Sequence, residues 1–272
     1  MKKNKGKIVV IILLILAIIA GGTYLWNENR NKGETPKDDP EVIVVDEDKY
    51  DLEALRKIWE ANKKKNEDYV GQITFASGLV DLPFVQGATN DTYLRRDWET
   101  NDYDEEGSIF LDSQNKLTDK NLVIYGHFVY KQYDPERTHK FTPLEKLLSP
   151  DNYEDNKELI LVLEDGVREY EVVQVFYCDL EADESGNYVY AREDLQYYWL
   201  NKGDSYFDYD DRSINEEYFD NYVKVARSRA AYDIDAEYTL DDNFLTLQTC
   251  VENHGELREI VLCKEVARYP YK

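Results

Sequence analysis

Apolar positions recur at helical spacing in two places along this chain; elsewhere they gather into short runs. Leu52, Leu55, Ile58 and Trp59 fall on one face of a helix over Asp48–Lys65, with Asp51 placed to cap it. Phe219, Tyr222, Val223 and Val225–Ala226 predict a second helix over Asn215–Arg229. Short apolar runs predict strands at Val70–Phe75, Leu82–Gln86, Ser108–Leu111, Asn121–Tyr125, Glu158–Leu163, Arg168–Tyr177, Phe244–Thr249 and Arg258–Val266. Glu164-Asp165-Gly166 separates two of them as a hairpin turn. Glu181–Ile214, rich in Asp, Gly, Ser and Tyr, reads as a long loop. The pattern predicts a mainly β, mostly antiparallel domain with one N-terminal helix and one late helix.

The N-terminus follows another pattern. Lys2, Lys3, Lys5 and Lys7 precede Ile8–Trp26, 19 residues without a charge. A helix of roughly 20 apolar residues crosses the hydrocarbon core, and lysines on one flank keep that flank in the cytoplasm. The expected organisation is a cytoplasmic segment 1–7, a transmembrane signal anchor 8–26, an extracellular stalk 27–47 with Pro36 and Pro40, and a globular domain 48–272. That makes a single-pass cell-membrane protein with its domain outside. A competing reading is a cleaved signal peptide, with Ile8–Ala20 as its apolar region and Ala20-Gly21-Gly22 as the cleavage site.

Composition narrows the function. Asp and Glu number 56 against 33 Lys and Arg, for a net charge of -23, so no cationic stripe is available for nucleic acid. Hydrophobic residues at 42%, with 23 Tyr, are enough for a core. The three Cys include no C-x-x-C pair and the three His have no metal-ligand spacing, so no metal site is expected.

Cys250 ends the strand Phe244–Thr249, and Arg258 opens the next one after a seven-residue loop. If the two strands pair as a hairpin, Cys250 and Arg258 lie side by side at one sheet end. A guanidinium there favours a thiolate or holds a developing oxyanion. His127 follows the strand Asn121–Tyr125 directly and is the candidate acid–base partner. A lone Cys is more often a small buried hydrophobe, and Cys178 and Cys263 are read that way; a Cys178–Cys263 bridge stays open for an exported chain. His139 reads as solvated, His254 as a hairpin residue ranked below His127, and Arg168 and Arg268 as surface charges. Tyr197-Tyr198-Trp199 reads as a local mini-core and Asp208–Asp211 as a solvated turn.

Thr246-Leu247-Gln248-Thr249-Cys250 resembles the T-L-x-T-C signature of the sortases. Asn121-Leu122-Val123-Ile124-Tyr125-Gly126-His127 is similar to their strand ending in the catalytic His, and Arg258 stands where their Arg opens the final strand. Leu82-Pro83-Phe84-Val85-Gln86-Gly87, Asn90-Asp91-Thr92-Tyr93-Leu94 and Gly107-Ser108-Ile109-Phe110-Leu111-Asp112 resemble class B in particular. The resemblance covers about residues 48–267. It implies a closed eight-stranded sortase β-barrel with an N-terminal helix and a helix in the loop before the Cys strand.

It further implies a cysteine transpeptidase without cofactor, in which Cys250 is the nucleophile, His127 the general acid and base, and Arg258 the oxyanion and substrate stabiliser. The implied donor is the C-terminal sorting motif of a secreted protein, cleaved after Thr. The implied acceptor is a peptidoglycan amine, or a pilin Lys amine in the pilus-building variant. Asn90, Leu94, Tyr188, Gln248, Thr249 and Val251 are the implied substrate contacts. Glu181–Ile214 is longer than is usual in the class, and Val251 stands where an acidic contact is common. A secreted Cys hydrolase and a membrane-anchored acidic binding module are the alternatives.

Overall fold

A computed structural model describes residues 49–179 and 216–272. The strands are β1 (Tyr69–Phe75), β2 (Asp81–Val85), β3 (Ile109–Leu111), β4 (Asn121–Tyr125), β5 (Glu158–Leu163), β6 (Gly166–Asp179), β7 (Phe244–Val251) and β8 (His254–Pro270). Helix α1 (Leu52–Lys63) precedes them, and α2 (Glu216–Ser228) lies between β6 and β7. The strands close into a barrel in the order β1-β2-β3-β4-β7-β8-β6-β5. β2–β3 and β4–β7 are parallel and the other neighbours antiparallel. The expected closed eight-stranded barrel with its two helices is what the chain forms. The expected anchor 8–26 and the loop 181–214 lie outside the described residues, and among the described residues no helix is long and apolar enough to cross a membrane.

Burial explains why these segments become strands. In β4, Leu122 and Ile124 face the barrel interior, while Val123 faces outward and joins a cluster with α2. A strand buried on both faces reads as a continuous apolar run rather than an alternating one. Phe219, Tyr222 and Ala226 of α2 pack over Phe176, Phe244, Ile260 and Leu262, so the helix covers the outside of β6, β7 and β8. Leu55 of α1 and the adjoining Tyr50 cover Ile160, Val162, Val167 and Tyr269. Asp51 caps α1 by accepting from the Ala54 amide at 3.0 Å, a contact worth about 1 kcal/mol.

Three features depart from the sequence reading. Phe141, Leu144 and Leu147 stand three apart and enter the interior from a 3-10 helix over Thr142–Leu148 and the residue that caps its start. A spacing of three matches neither the strand nor the α period, and it is the period of the 3-10 helix. Arg168 is not a surface charge: it is 3% exposed and donates to the Leu117 carbonyl and to Asp165. Cys178 and Cys263 are both buried, and neither is in a disulfide. On β6 and β8 they sit opposite Arg258 and Val172 respectively. Positions 258 and 263 are about 16 Å apart along β8 at strand rise, so a bridge between the two Cys is ruled out.

Candidate active site

β7 sorts its side chains by parity. Leu245 and Leu247 point into the barrel, whereas Phe244 points outward under α2. Cys250 therefore lies on the outer face, in register with Arg258 of β8. Cys178 of β6 sits on the other side of Arg258 in the same row. Cys178 and Cys263 are buried, and Cys250 alone of the three thiols is partly exposed.

The hairpin past Cys250 differs from the expected seven-residue loop. Val251 pairs with His254, so the turn is only Glu252-Asn253, with Asn253 at φ 62°. The surplus falls on β8 as a break in register between Cys250 and Val251. A bulge of this kind bends the strand and re-aims the side chains beside it. It lies next to Cys250 and Arg258. The guanidinium of Arg258 donates to the carbonyl of Leu257 at 3.0 Å.

β4 runs parallel to β7 with Tyr125 opposite Gln248. The Gly126 amide donates to the Gln248 carbonyl at 3.1 Å, and the Thr249 hydroxyl donates to the Gly126 carbonyl at 2.9 Å. Carried on, this register brings His127 level with Cys250. Gly126 is required here because a Cβ would meet the Phe141 ring at 2.5 Å. His127 Nε2 lies 2.9 Å from the Leu94 carbonyl and 3.4 Å from Arg95 Nη1. Burial holds the imidazole below its ordinary range, and the cations of Arg95, Lys140 and Arg258 push the same way against the Leu94 hydrogen bond.

The loop carrying His127 is tied to the loop following Cys250. Arg137 donates twice to Glu145 at 2.7 Å, donates to the Val129 carbonyl at 2.9 Å, and pairs with Glu252 at 3.2 Å. Its guanidinium stacks 4.4 Å from the Phe128 ring centroid. Arg137 itself sits at φ 56°, a conformation that costs a non-glycine residue about 1 kcal/mol. Glu252 also accepts from the Lys131 amide at 3.1 Å. Arg137→Ala leaves two carboxylates without their fork and is expected to lower stability by about 2 kcal/mol. A thermal melt with a parallel turnover assay checks this, with both falling together.

The implied substrate contacts divide by environment. Gln248 faces outward beside Cys250, and its buried Oε1 has no hydrogen-bond partner among the described residues. Leu94 packs against the cluster of Val85, Tyr93 and Phe110. The Asn90 side chain is already engaged, donating to Asp112 at 2.9 Å and accepting from the Ser113 amide at 2.7 Å. Val251 is half-buried just past the bulge. Thr249 is 2% exposed and by strand parity faces the barrel interior, where its hydroxyl pins the strand end before His127. Tyr188, Tyr197-Tyr198-Trp199 and Asp208–Asp211 lie outside the described residues. His139 is on the surface, 2.9 Å from Glu106, and His254 is exposed at the start of β8. Arg95 and Arg137 carry no signal in the linear sequence, because their partners lie in other segments.

No family model matches the chain. Among curated proteins it is 26% identical to sortase B of Staphylococcus aureus over 273 residues, covering 97% of this chain and 98% of that protein. It is 30% identical to sortase B of Listeria monocytogenes over 138 residues, covering 46% and 53%. Among solved structures, Clostridium perfringens sortase B superposes with a TM-score of 0.60 at 26% identity, covering 76% of this chain and 99% of that one. A Staphylococcus aureus sortase B–substrate complex superposes with a TM-score of 0.58 at 24% identity, covering 78% and 85%. The barrel order, the cysteine and arginine in register on β7 and β8, and these likenesses agree: the chain belongs to the class B sortases, a family of cysteine transpeptidases.

Proposed function

We propose that this sortase cleaves the C-terminal sorting motif of secreted proteins after Thr and transfers the acyl group to an amine of cell-wall peptidoglycan. The observation that carries the reading is the outward row of Cys250 and Arg258 at a splayed strand end, with His127 brought level by the parallel β4–β7 pairing. Cys250 sulfur attacks the Thr carbonyl, and the carbonyl oxygen takes up negative charge beside Arg258. The C–N bond then breaks, His127 hands a proton to the departing amine, and a thioester remains on Cys250. The acceptor amine attacks the thioester, loses its proton to His127, and expels the sulfur as the new amide forms. Donor and acceptor classes are supported by related sortase B structures, one a substrate complex and one complexed with triglycine. The site would work outside the membrane, held by residues 8–26 as a single-pass anchor.

The test uses the full-length chain and a panel of fluorogenic sorting-motif peptides, with and without triglycine, read by mass spectrometry. A Cys250-linked acyl-enzyme and a glycine-ligated product support transpeptidation. Hydrolysed peptide alone, at every amine concentration, would move the assignment to a hydrolase. In the same assay Gln248→Ala is expected to raise KM about fivefold with kcat nearly unchanged. The unpartnered Oε1 suits a peptide N–H, and one such hydrogen bond is worth about 1 kcal/mol.

A further inference from the structure

We propose that Arg95 is a positioning residue for this reaction, holding the His127 ring uncharged with its Nε2–H on the Leu94 carbonyl while the peptide site is empty. The inference rests on the reading of His127 as the acid–base group and adds a residue that the sequence did not offer.

The geometry starts from the segment joining β2 to β3. Tyr93 is buried, and its hydroxyl joins Asn66 and Asp68 at 2.8 and 2.9 Å. Its carbonyl accepts from the Ser108 amide at 3.0 Å. Gly107, at φ +55°, lies so close beneath that a Cβ there would collide with the Leu94 carbonyl oxygen. The Leu94 carbonyl is therefore fixed before any substrate arrives, and it points at His127 Nε2, 2.9 Å away.

A carbonyl only accepts, so Nε2 must carry a proton. In the neutral ring the lone pair is then on Nδ1. Arg95 Nη1 is 3.4 Å from the same Nε2, and its guanidinium also donates to the Glu105 carbonyl. A guanidinium has no acceptor, so it makes no hydrogen bond to a protonated nitrogen. What it does is repel a second positive charge. The charged groups that act most strongly on this ring are Arg95, Lys140 and Arg258, all cations. Lys140 is partly offset by Asp104 at 3.4 Å, whereas Arg95 stands directly against the ring. Arg95 and Leu94 thus act together: the carbonyl sets which nitrogen holds the proton, and the cation resists a second one. The Nδ1 lone pair is left ready for the proton that Cys250 sheds on attacking the peptide. That proton then leaves on the departing amine, so the ring ends acylation as it began.

The test is a histidine-labelled NMR titration of the full-length chain, with His127→Gln to assign the resonance, alongside the pH profile of kcat/KM. Arg95→Gln is expected to raise the His127 midpoint by about half to one unit, the size of a single exposed charge at contact distance. The acid limb of the profile should move by the same amount. Arg95→Lys should restore both, and 1 M salt should move the parent toward the Gln variant. If Arg95→Gln lowered kcat/KM equally at every pH and left the His127 midpoint in place, Arg95 would be structural only and the proposal would be overturned. A midpoint that fell instead would overturn it as well. The titration reads the ring whether or not a peptide is turned over, so failure here is distinguishable from failure of the transpeptidase reading.

Discussion

Replacing Cys250 by Ala is expected to reduce amine-dependent turnover to background while moving the melting temperature by no more than about 2 °C. The side chain is only partly buried and makes no contribution to the two apolar clusters that flank β7. On the proposed mechanism its loss removes the nucleophile and leaves the packing. Arg258→Ala and His127→Ala should each cost about 10²–10³ in kcat/KM or more, the usual loss of an oxyanion donor or proton-transfer group. Cys178→Ala and Cys263→Ala supply the contrast, since both thiols are buried within those clusters. They should lower stability and spare turnover. Loss of turnover in Cys178→Ala with retention in Cys250→Ala would reverse the assignment, because Cys178 shares the row of Arg258.

The second large effect concerns Glu259. It is 1% exposed, and neither carboxylate oxygen has a hydrogen-bond partner among the described residues. Parity on β8 sends it into the barrel with Val261 and Cys263, while Arg258 faces out. Burial, reinforced by the nearby Glu145 carboxylate, pushes its pKa up to about 8. The native state therefore holds a proton that the unfolded chain releases near pH 4.5. Stability from this group is present in full below about pH 4.5 and is lost as pH rises to about 8. Between pH 5 and 8 the loss is on the order of 4 kcal/mol. Urea unfolding of the full-length chain, followed by Trp fluorescence at both pH values, should show Glu259→Gln flattening that difference. An unchanged difference would place the Glu259 charge in contact with water or a cation.

How far the sequence could be read depends on what each residue answers to. β4 and β5 begin and end where their apolar runs do, because both are covered on two faces. β6 and β8 run past theirs: they pair with each other from Gly166–Pro270 to Asp179–Leu257, and charged residues such as Lys264 and Arg268 interrupt the pattern without ending the ladder. Glu259 is the reverse case, an acid at an interior position where pattern alone expects an apolar residue. Cys250 opposite Arg258 was legible because a hairpin keeps near neighbours together. The setting of His127 was not: Leu94 and Arg95 lie more than thirty residues away, in a segment whose path is set by Gly107 and Tyr93. The inward face of Thr249 was not legible either, because a motif names residues without stating which face of the strand each occupies.

The strand order has a consequence for how the enzyme comes into being. Without β7 and β8 the other six strands form an open sheet, β6-β5-β1-β2-β3-β4, with His127 at one rim and the Cys178 row at the other. The C-terminal hairpin is the one element that bridges those rims, and it carries both Cys250 and Arg258. Closing the barrel is thus the same step that brings Cys250 and Arg258 up to His127. A chain emerging N-terminus first must wait for its C-terminal hairpin, and long-range pairing of this kind is slow. Until then two unpaired edges invite association with other chains. Conversely, a molecule whose hairpin has not docked keeps Cys250 and Arg258 apart from His127.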